Sequence, residues 1–127
     1  LVGATTGPHP MRLWRKQQNI EIATSASLFK IPHGKRLIIA GLVICRQRPG
    51  TAKGHCFISL EDEFGIANLF IPRKTFHQFK LIITSESFLL AQGRLQITEG
   101  QQPTVYVTSL KPLNMSEEFA TVSHDFH

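Results

Sequence analysis

A mainly β, five-stranded Greek-key barrel is the fold this sequence predicts, on three observations. Apolar, β-branched runs at Lys35–Cys45, His55–Leu60 and Ile66–Ile71 follow one another on short turns, which makes a meander. Two further runs, Ser87–Ile97 and Thr104–Leu110, come later, and the second alternates cleanly. Between the two groups, Arg73–Ile82 follows a helical period.

The N-terminal third supports this barrel rather than joining it. Leu1–Gly7 reads as a linker, and Pro8-His-Pro10 is a stiff connector into a short helix through Lys16. Met11 and Trp14, three apart, share one face of that helix and pack over an end of the domain. Thr24–Lys30 predicts a second helical turn capped by Ser or Thr, and Ile31-Pro-His-Gly34 stops it and feeds the first strand. The expected division is an N-terminal linker and short helical extension over residues 1–33, the barrel over 34–112 and a tail over 113–127. A first residue that is Leu rather than Met suggests a piece of a longer polypeptide.

Side-chain alternation sorts the strands into two faces. In the first strand Val43 and Cys45 point inward, sending Leu42, Ile44, Arg46 and Arg48 outward. In the second, Cys56, Ile58 and Leu60 form the apolar set, with Phe57, Ser59 and Glu61 opposite. In the third, burying Asn68 would be costly, so Ala67, Leu69 and Ile71 go inward and Ile66, Asn68 and Phe70 outward. A short helix begins at Pro72 and places Phe76, Phe79 and Ile83 on one face. In the fourth strand Gly93 marks a bend or barrel corner, with Leu95 and Ile97 inside and Gln92, Arg94 and Gln96 outside. In the fifth, Tyr106 and Thr108 lie opposite Val105 and Val107. The order β-β-β-α-β-β is that of the OB-fold, whose second and third strands and flanking loops hold oligonucleotides.

Charge points the same way. The net charge of +5 is uneven: residues 1–54 carry nine Lys/Arg against the single acid Glu21, and residues 55–127 carry five against eight. A polyanionic partner on one side of the fold follows from that asymmetry. Arg46, Arg48 and Lys53 bracket a phosphate backbone in the basic loop, where Gly50 and Gly54 allow closure. Phe57 and Phe70 offer rings on which bases stack, Asn68 beside them offers an amide to a base edge, and Ser59, Arg94 and Tyr106 complete the candidate face.

Other chemistries find little support. Cys45 and Cys56 lie symmetrically about the basic loop and read as small, buried, reduced thiols facing each other across the hairpin. The six histidines are scattered without zinc-ligand spacing, so no metal or other cofactor is expected. No arrangement of Ser/His/Asp, Cys/His or paired carboxylates suggests an enzyme, and Glu61-Asp-Glu63 reads as a solvated turn. No run of about twenty apolar residues and no signal-peptide pattern points to a membrane or to export.

The run Ala40–Gly54, with its Arg-Gln-Arg-Pro-Gly-Thr-Ala-Lys-Gly loop, and the run Phe57–Asn68 resemble the C-terminal OB domain of bacterial error-prone DNA polymerases. These are translesion relatives of the DNA polymerase III α subunit. Gly7-Pro-His-Pro-Met11 is similar to the segment joining that domain to the region before it, and Ser123-His-Asp-Phe-His127 to the terminal tail. Beyond the loop, the likeness is to the wider anticodon-binding type of OB domain. There the second-strand Phe stacks on a base and the amide three residues after the turn glycine contacts one, roles that fall on Phe57 and Asn68. Phe64 before the turn glycine and Cys56 in place of an aliphatic residue depart from the pattern.

The resemblance implies a non-enzymatic, bacterial cytoplasmic module that holds single-stranded template DNA during translesion synthesis, beside other domains or subunits of the polymerase assembly. The family's catalytic aspartates lie in a separate domain. Two other readings use the same face: docking of a protein within a polymerase or mutasome assembly, and binding of RNA as in a tRNA anticodon reader.

Overall fold

The computed structural model describes residues 9–49 and 54–113. In chain order it contains α1 (Pro10–Lys16), a 3₁₀ turn (Ser27–Phe29), β1 (Arg36–Gln47), β2 (Cys56–Asp62), β3 (Gly65–Ile71), α2 (Arg73–Gln78), α3 (Lys80–Ser85), β4 (Phe88–Gln96) and β5 (Thr104–Pro112). The strands close in the order β1-β2-β3-β5-β4. Every neighbouring pair is antiparallel except β3 and β5. This is the five-stranded OB barrel expected from the order of elements.

Its interior is built by the alternation the strands display. Leu37 and Ile39 of β1, Cys56, Ile58 and Leu60 of β2, Ala67, Leu69 and Ile71 of β3, Leu89, Ala91 and Leu95 of β4 and Val105, Val107 and Leu110 of β5 are buried together. Phe76 and Ile83 close the core from the connection between β3 and β4. That connection is two short helices rather than the one expected. Phe79 breaks them with φ −116° and ψ 24°, while Ile83 N–H still donates to Phe79 O at 2.9 Å. The break turns the chain without withdrawing either apolar anchor. β4 ends at Gln96, so Ile97 lies past the strand and is exposed rather than inside.

Two irregularities set the register. Between Val43 and Cys45 the pairing of β1 with β2 slips, so that Val43 faces Leu60 but Cys45 faces Ser59. The slip shifts the alternation. Cys45 is therefore exposed and only Cys56 is buried, and the two do not face each other, because Cys45 lies opposite Ser59. Both are free thiols, and burial pushes the Cys56 thiol above its ordinary range against the pull of Arg48 and Arg46. The second slip, between Gln92 and Gly93, brings strands together so closely that a Cβ on Gly93 would sit 2.0 Å from the Tyr106 carbonyl oxygen. Only glycine fits there.

The N-terminal segment is an integral layer of the domain. His9 Nδ1 accepts the Met11 N–H at 3.1 Å and Pro10 takes the first helical position, which satisfies the start of α1. Met11, Trp14, Ile22 and Ala40 form a second buried cluster, against which Ile38, Phe88, Leu90 and Leu113 pack. The outer surface of the β1–β4 pair is thereby covered at Ile38, Ala40, Phe88 and Leu90, while Arg36, Gln92 and Arg94 stay exposed. Thr24 and Ser27 cap each other's backbone N–H groups at 2.9 Å and fold the chain into its 3₁₀ turn.

The acidic turn is not solvated, in contrast to its expected role. Asp62, 4% exposed, accepts Ser25 N–H at 2.7 Å, Ser25 Oγ–H at 2.6 Å, Phe64 N–H at 2.9 Å and Gly65 N–H at 3.1 Å. Arg15 grips Glu63 through Nε at 2.8 Å and Nη2 at 3.0 Å and reaches Asp62 at 3.5 Å. Its Nη1 donates to the carbonyls of Ile22 and Ala23 at 3.1 and 3.2 Å. One arginine and one aspartate thus tie the N-terminal layer to the β2–β3 turn.

Replacing Asp62 with Ala leaves the N–H groups of Ser25, Phe64 and Gly65 without their acceptor. A loss of about 3 kcal/mol in urea unfolding is expected. Burial raises the Glu63 carboxyl, but its hydrogen bond to Arg15, its own backbone and the charges of Arg15 and His9 outweigh this and hold it below its ordinary value of 4.5. A lowered carboxylate contributes stability above that ordinary value and loses it as pH falls through the folded one. The stability gap between the wild type and Arg15→Met is therefore widest near neutral pH and narrows below about pH 4.5, as unfolding curves across pH will show.

Candidate nucleic-acid interface

The outward face of β2, β3 and β5 carries the aromatic residues. Alternation turns Phe57, Ser59 and Glu61 of β2 away from the core, as it does Ile66, Asn68 and Phe70 of β3 and Tyr106 and Thr108 of β5. Register then aligns them. Phe57 lies opposite Phe70, Phe70 opposite Tyr106, Tyr106 opposite Arg94, and Arg94 opposite Arg36. A single row thus runs across the strands, one side chain per strand, at steps of about 4.8 Å.

The rings of this row touch. Phe57 and Phe70 have centroids 5.3 Å apart at 63°, and Phe70 and Tyr106 4.7 Å apart at 33°. His55, just before β2, lies 5.2 Å from both Phe57 and Phe70. Phe70 is held between its neighbours, whereas Phe57 and Tyr106 remain 40% and 42% exposed. The neighbouring row is polar: Cys45, Ser59, Asn68, Thr104 and Gln96 stand opposite one another in turn. Asn68 Nδ2 donates to Gln102 Oε1 at 3.4 Å. Stacking surfaces and hydrogen-bonding groups therefore sit side by side.

The arginines divide into different jobs. Arg46 donates from Nε to the Ile83 carbonyl at 2.7 Å and from Nη2 to the Glu86 carbonyl at 2.6 Å, clamping the end of α3. Much of its donor capacity is spent on the fold. Arg48 lays its guanidinium 4.0 Å from the centroid of Phe76 and donates to the Gly54 carbonyl at 3.4 Å, yet it stays exposed at the base of the loop. Arg73 lies against Gly54 as well, its Cγ 3.2 Å from where a Cβ would be. Lys53 lies outside the described residues.

Among the residues expected at the site, the fold brings Phe57, Phe70 and Tyr106 into one contact chain, with Ser59 and Asn68 in the next row and Arg94 at its end. Arg46 and Arg48 sit apart from that chain, toward the helices. Sequence reasoning missed His55, although it shares parity with Phe57, and missed Arg36, whose neighbour Arg94 is 58 positions away and is set only by register. Among the described residues no three His, Cys, Asp or Glu side chains are grouped to hold a metal ion.

Known proteins match this architecture. Residues 30–113 fit the family model described as OB-fold nucleic acid binding domain. An error-prone DNA polymerase of Anaeromyxobacter dehalogenans is 40% identical over 98% of this chain, and one of Pseudomonas syringae pv. tomato is 39% identical over 78% of it. The chain spans 11% and 10% of those proteins' lengths. Among solved structures, asparaginyl-tRNA synthetase from Pyrococcus horikoshii complexed with asparaginyl-adenylate superposes with a TM-score of 0.61 at 23% identity, over 74% of this chain and 22% of that one. OBody AM1L10 bound to hen egg-white lysozyme superposes with a TM-score of 0.60 at 14% identity, over 76% of this chain and 96% of that one. Both share the fold. With the closed barrel and the family match together, the chain belongs to the OB-fold nucleic acid binding domain family and is similar over most of its length to error-prone DNA polymerases.

Proposed function

We propose that this domain holds single-stranded template DNA for an error-prone DNA polymerase, a non-catalytic role beside chemistry carried elsewhere in a longer bacterial cytoplasmic protein. The observation that carries the reading is the contact chain Phe57–Phe70–Tyr106 on the outer face of β2, β3 and β5. Bases stack on the two exposed rings, Phe57 and Tyr106, and Phe70 buttresses both. Each stacked base is worth roughly 1–3 kcal/mol and tolerates any sequence, which suits a module that follows a damaged template.

Ser59 and Asn68 meet base edges from the adjoining polar row. Arg48 and Arg94 contact phosphates at the two sides of the rings, and Lys53 adds a third cation from the loop. Arg46 plays no part in this reading, because its guanidinium is committed to α3. Three phosphate contacts on a single strand correspond to a log–log salt slope of about −2.

The test is fluorescence anisotropy of the chain with labelled oligo-dT, matched duplex and oligo-U at two salt concentrations. Salt-dependent binding that favours oligo-dT is expected. Phe57→Ala and Tyr106→Ala each weaken it by about 1–3 kcal/mol, while Tyr106→Phe retains it, since the ring and not the hydroxyl does the stacking. Binding to none of the three at low salt would instead make the ring row a protein-docking face, and preference for oligo-U would make the ligand RNA.

A further inference from the structure

Arg36 and Arg94 stand directly opposite each other where β1 pairs with β4, and both are exposed. Directly opposed side chains share a face with Cβ atoms about 5 Å apart, so two like charges there repel and destabilise the pair. Nothing within the described residues offsets this. The ion pairs among them all lie at α1 and the β2–β3 turn, and neither Arg36 nor Arg94 has a side-chain hydrogen bond among those residues. Their situation differs from that of Arg15, Arg46 and Arg48, each of which is engaged by the fold.

Arg36 and Arg94 border a cleft of about 170 Å³, which Gln92, Gly93 and Thr108 also line. A water's share of liquid volume is about 30 Å³, so the cleft admits a phosphate-sized group with some of its hydration. Its position is specific. Arg94 lies opposite Tyr106, so the cleft opens where the row of rings ends.

We infer that Arg36 and Arg94 form a paired-guanidinium cradle for one phosphodiester of the bound strand, the phosphate next to the base on Tyr106. Two planar forks match the oxygens of a single phosphate, and a shared anion turns the repulsion of the pair into attraction. The inference rests on the proposed nucleic-acid reading and extends it. The strand runs across the barrel from β2 to β1 along the row Phe57–Phe70–Tyr106–Arg94–Arg36, so Arg36 adds a contact from β1.

Two measurements on the 127-residue chain test this, with Arg36→Gln, Arg94→Gln, the double variant and Arg12→Gln, an exposed arginine on α1, as control. In oligo-dT titrations across salt, Arg36→Gln is expected to weaken low-salt binding about tenfold and the double variant to make the log–log slope shallower by about 0.7, the one phosphate the two arginines share, while the control changes neither. In thermal melts, pyrophosphate is expected to raise the midpoint above that in sodium chloride of equal ionic strength, an increment the double variant loses. An Arg36→Gln affinity equal to wild type, in a chain that binds oligo-dT, overturns the cradle and leaves the stacking face standing. A wild-type chain that binds no oligonucleotide but keeps the pyrophosphate increment overturns the phosphodiester assignment together with the proposed function, and makes the pair a site for a free anion.

Discussion

Closing five strands into a barrel obliges β1 to serve two partners, and the outer face depends on how it does so. Its first half pairs with β4 from Arg36 to Leu42, and its second half with β2 from Leu42 to Gln47. A strand that twists through both pairings cannot keep a strict period of two along its whole length. The slip at Val43–Cys45 absorbs the mismatch in the β1–β2 pairing, and a second slip at Gln92–Gly93 adjusts the β4–β5 pairing, while β1 and β4 pair without one. With both in place, Phe57, Phe70, Tyr106, Arg94 and Arg36 fall in one row. A register error of one residue in any pairing would scatter them.

The buried carboxylate of Asp62 holds the far end of the same two strands. It gathers the turn's own N–H groups and those of Ser25, while Arg15 bridges the adjoining Glu63 to the carbonyls that follow α1. The β2–β3 hairpin is thus anchored at its turn by polar contacts and along its length by the core, with Phe57 and Phe70 presented at the opposite end. A buried charge is tolerable here because its oxygens are saturated with donors. The N-terminal layer is therefore coupled to the strands that carry the rings.

Basic residues in this chain have two kinds of work, and position in the sequence does not tell them apart. Arg46, near the end of β1, and Arg48, just past it, lie two residues apart, yet Arg46 clamps the carbonyls at the end of α3 and Arg48 lies over the ring of Phe76. Arg36 and Arg94 come from different parts of the chain, and strand pairing places them side by side without an acid between them. Net charge announces an affinity for anions, whereas the hydrogen-bond inventory decides which cations remain to express it.

Alternation is a local property, and the sequence by itself determined what depends on it. The five strands and their order, the inward set from Cys56 to Leu60 and from Ala67 to Ile71, the outward Phe57, Asn68, Phe70 and Tyr106, and a special backbone position at Gly93 were all legible from nearest-neighbour patterning and turn chemistry. What depends on contact between distant segments was not. The exposure of Cys45, the burial of Asp62, the diversion of Arg46 and the meeting of Arg36 with Arg94 each follow from a partner 14 or more positions away or from a register slip. Only the tertiary structure decided these, because a period of two fixes which side of a strand a residue faces and leaves open which residue stands beside it.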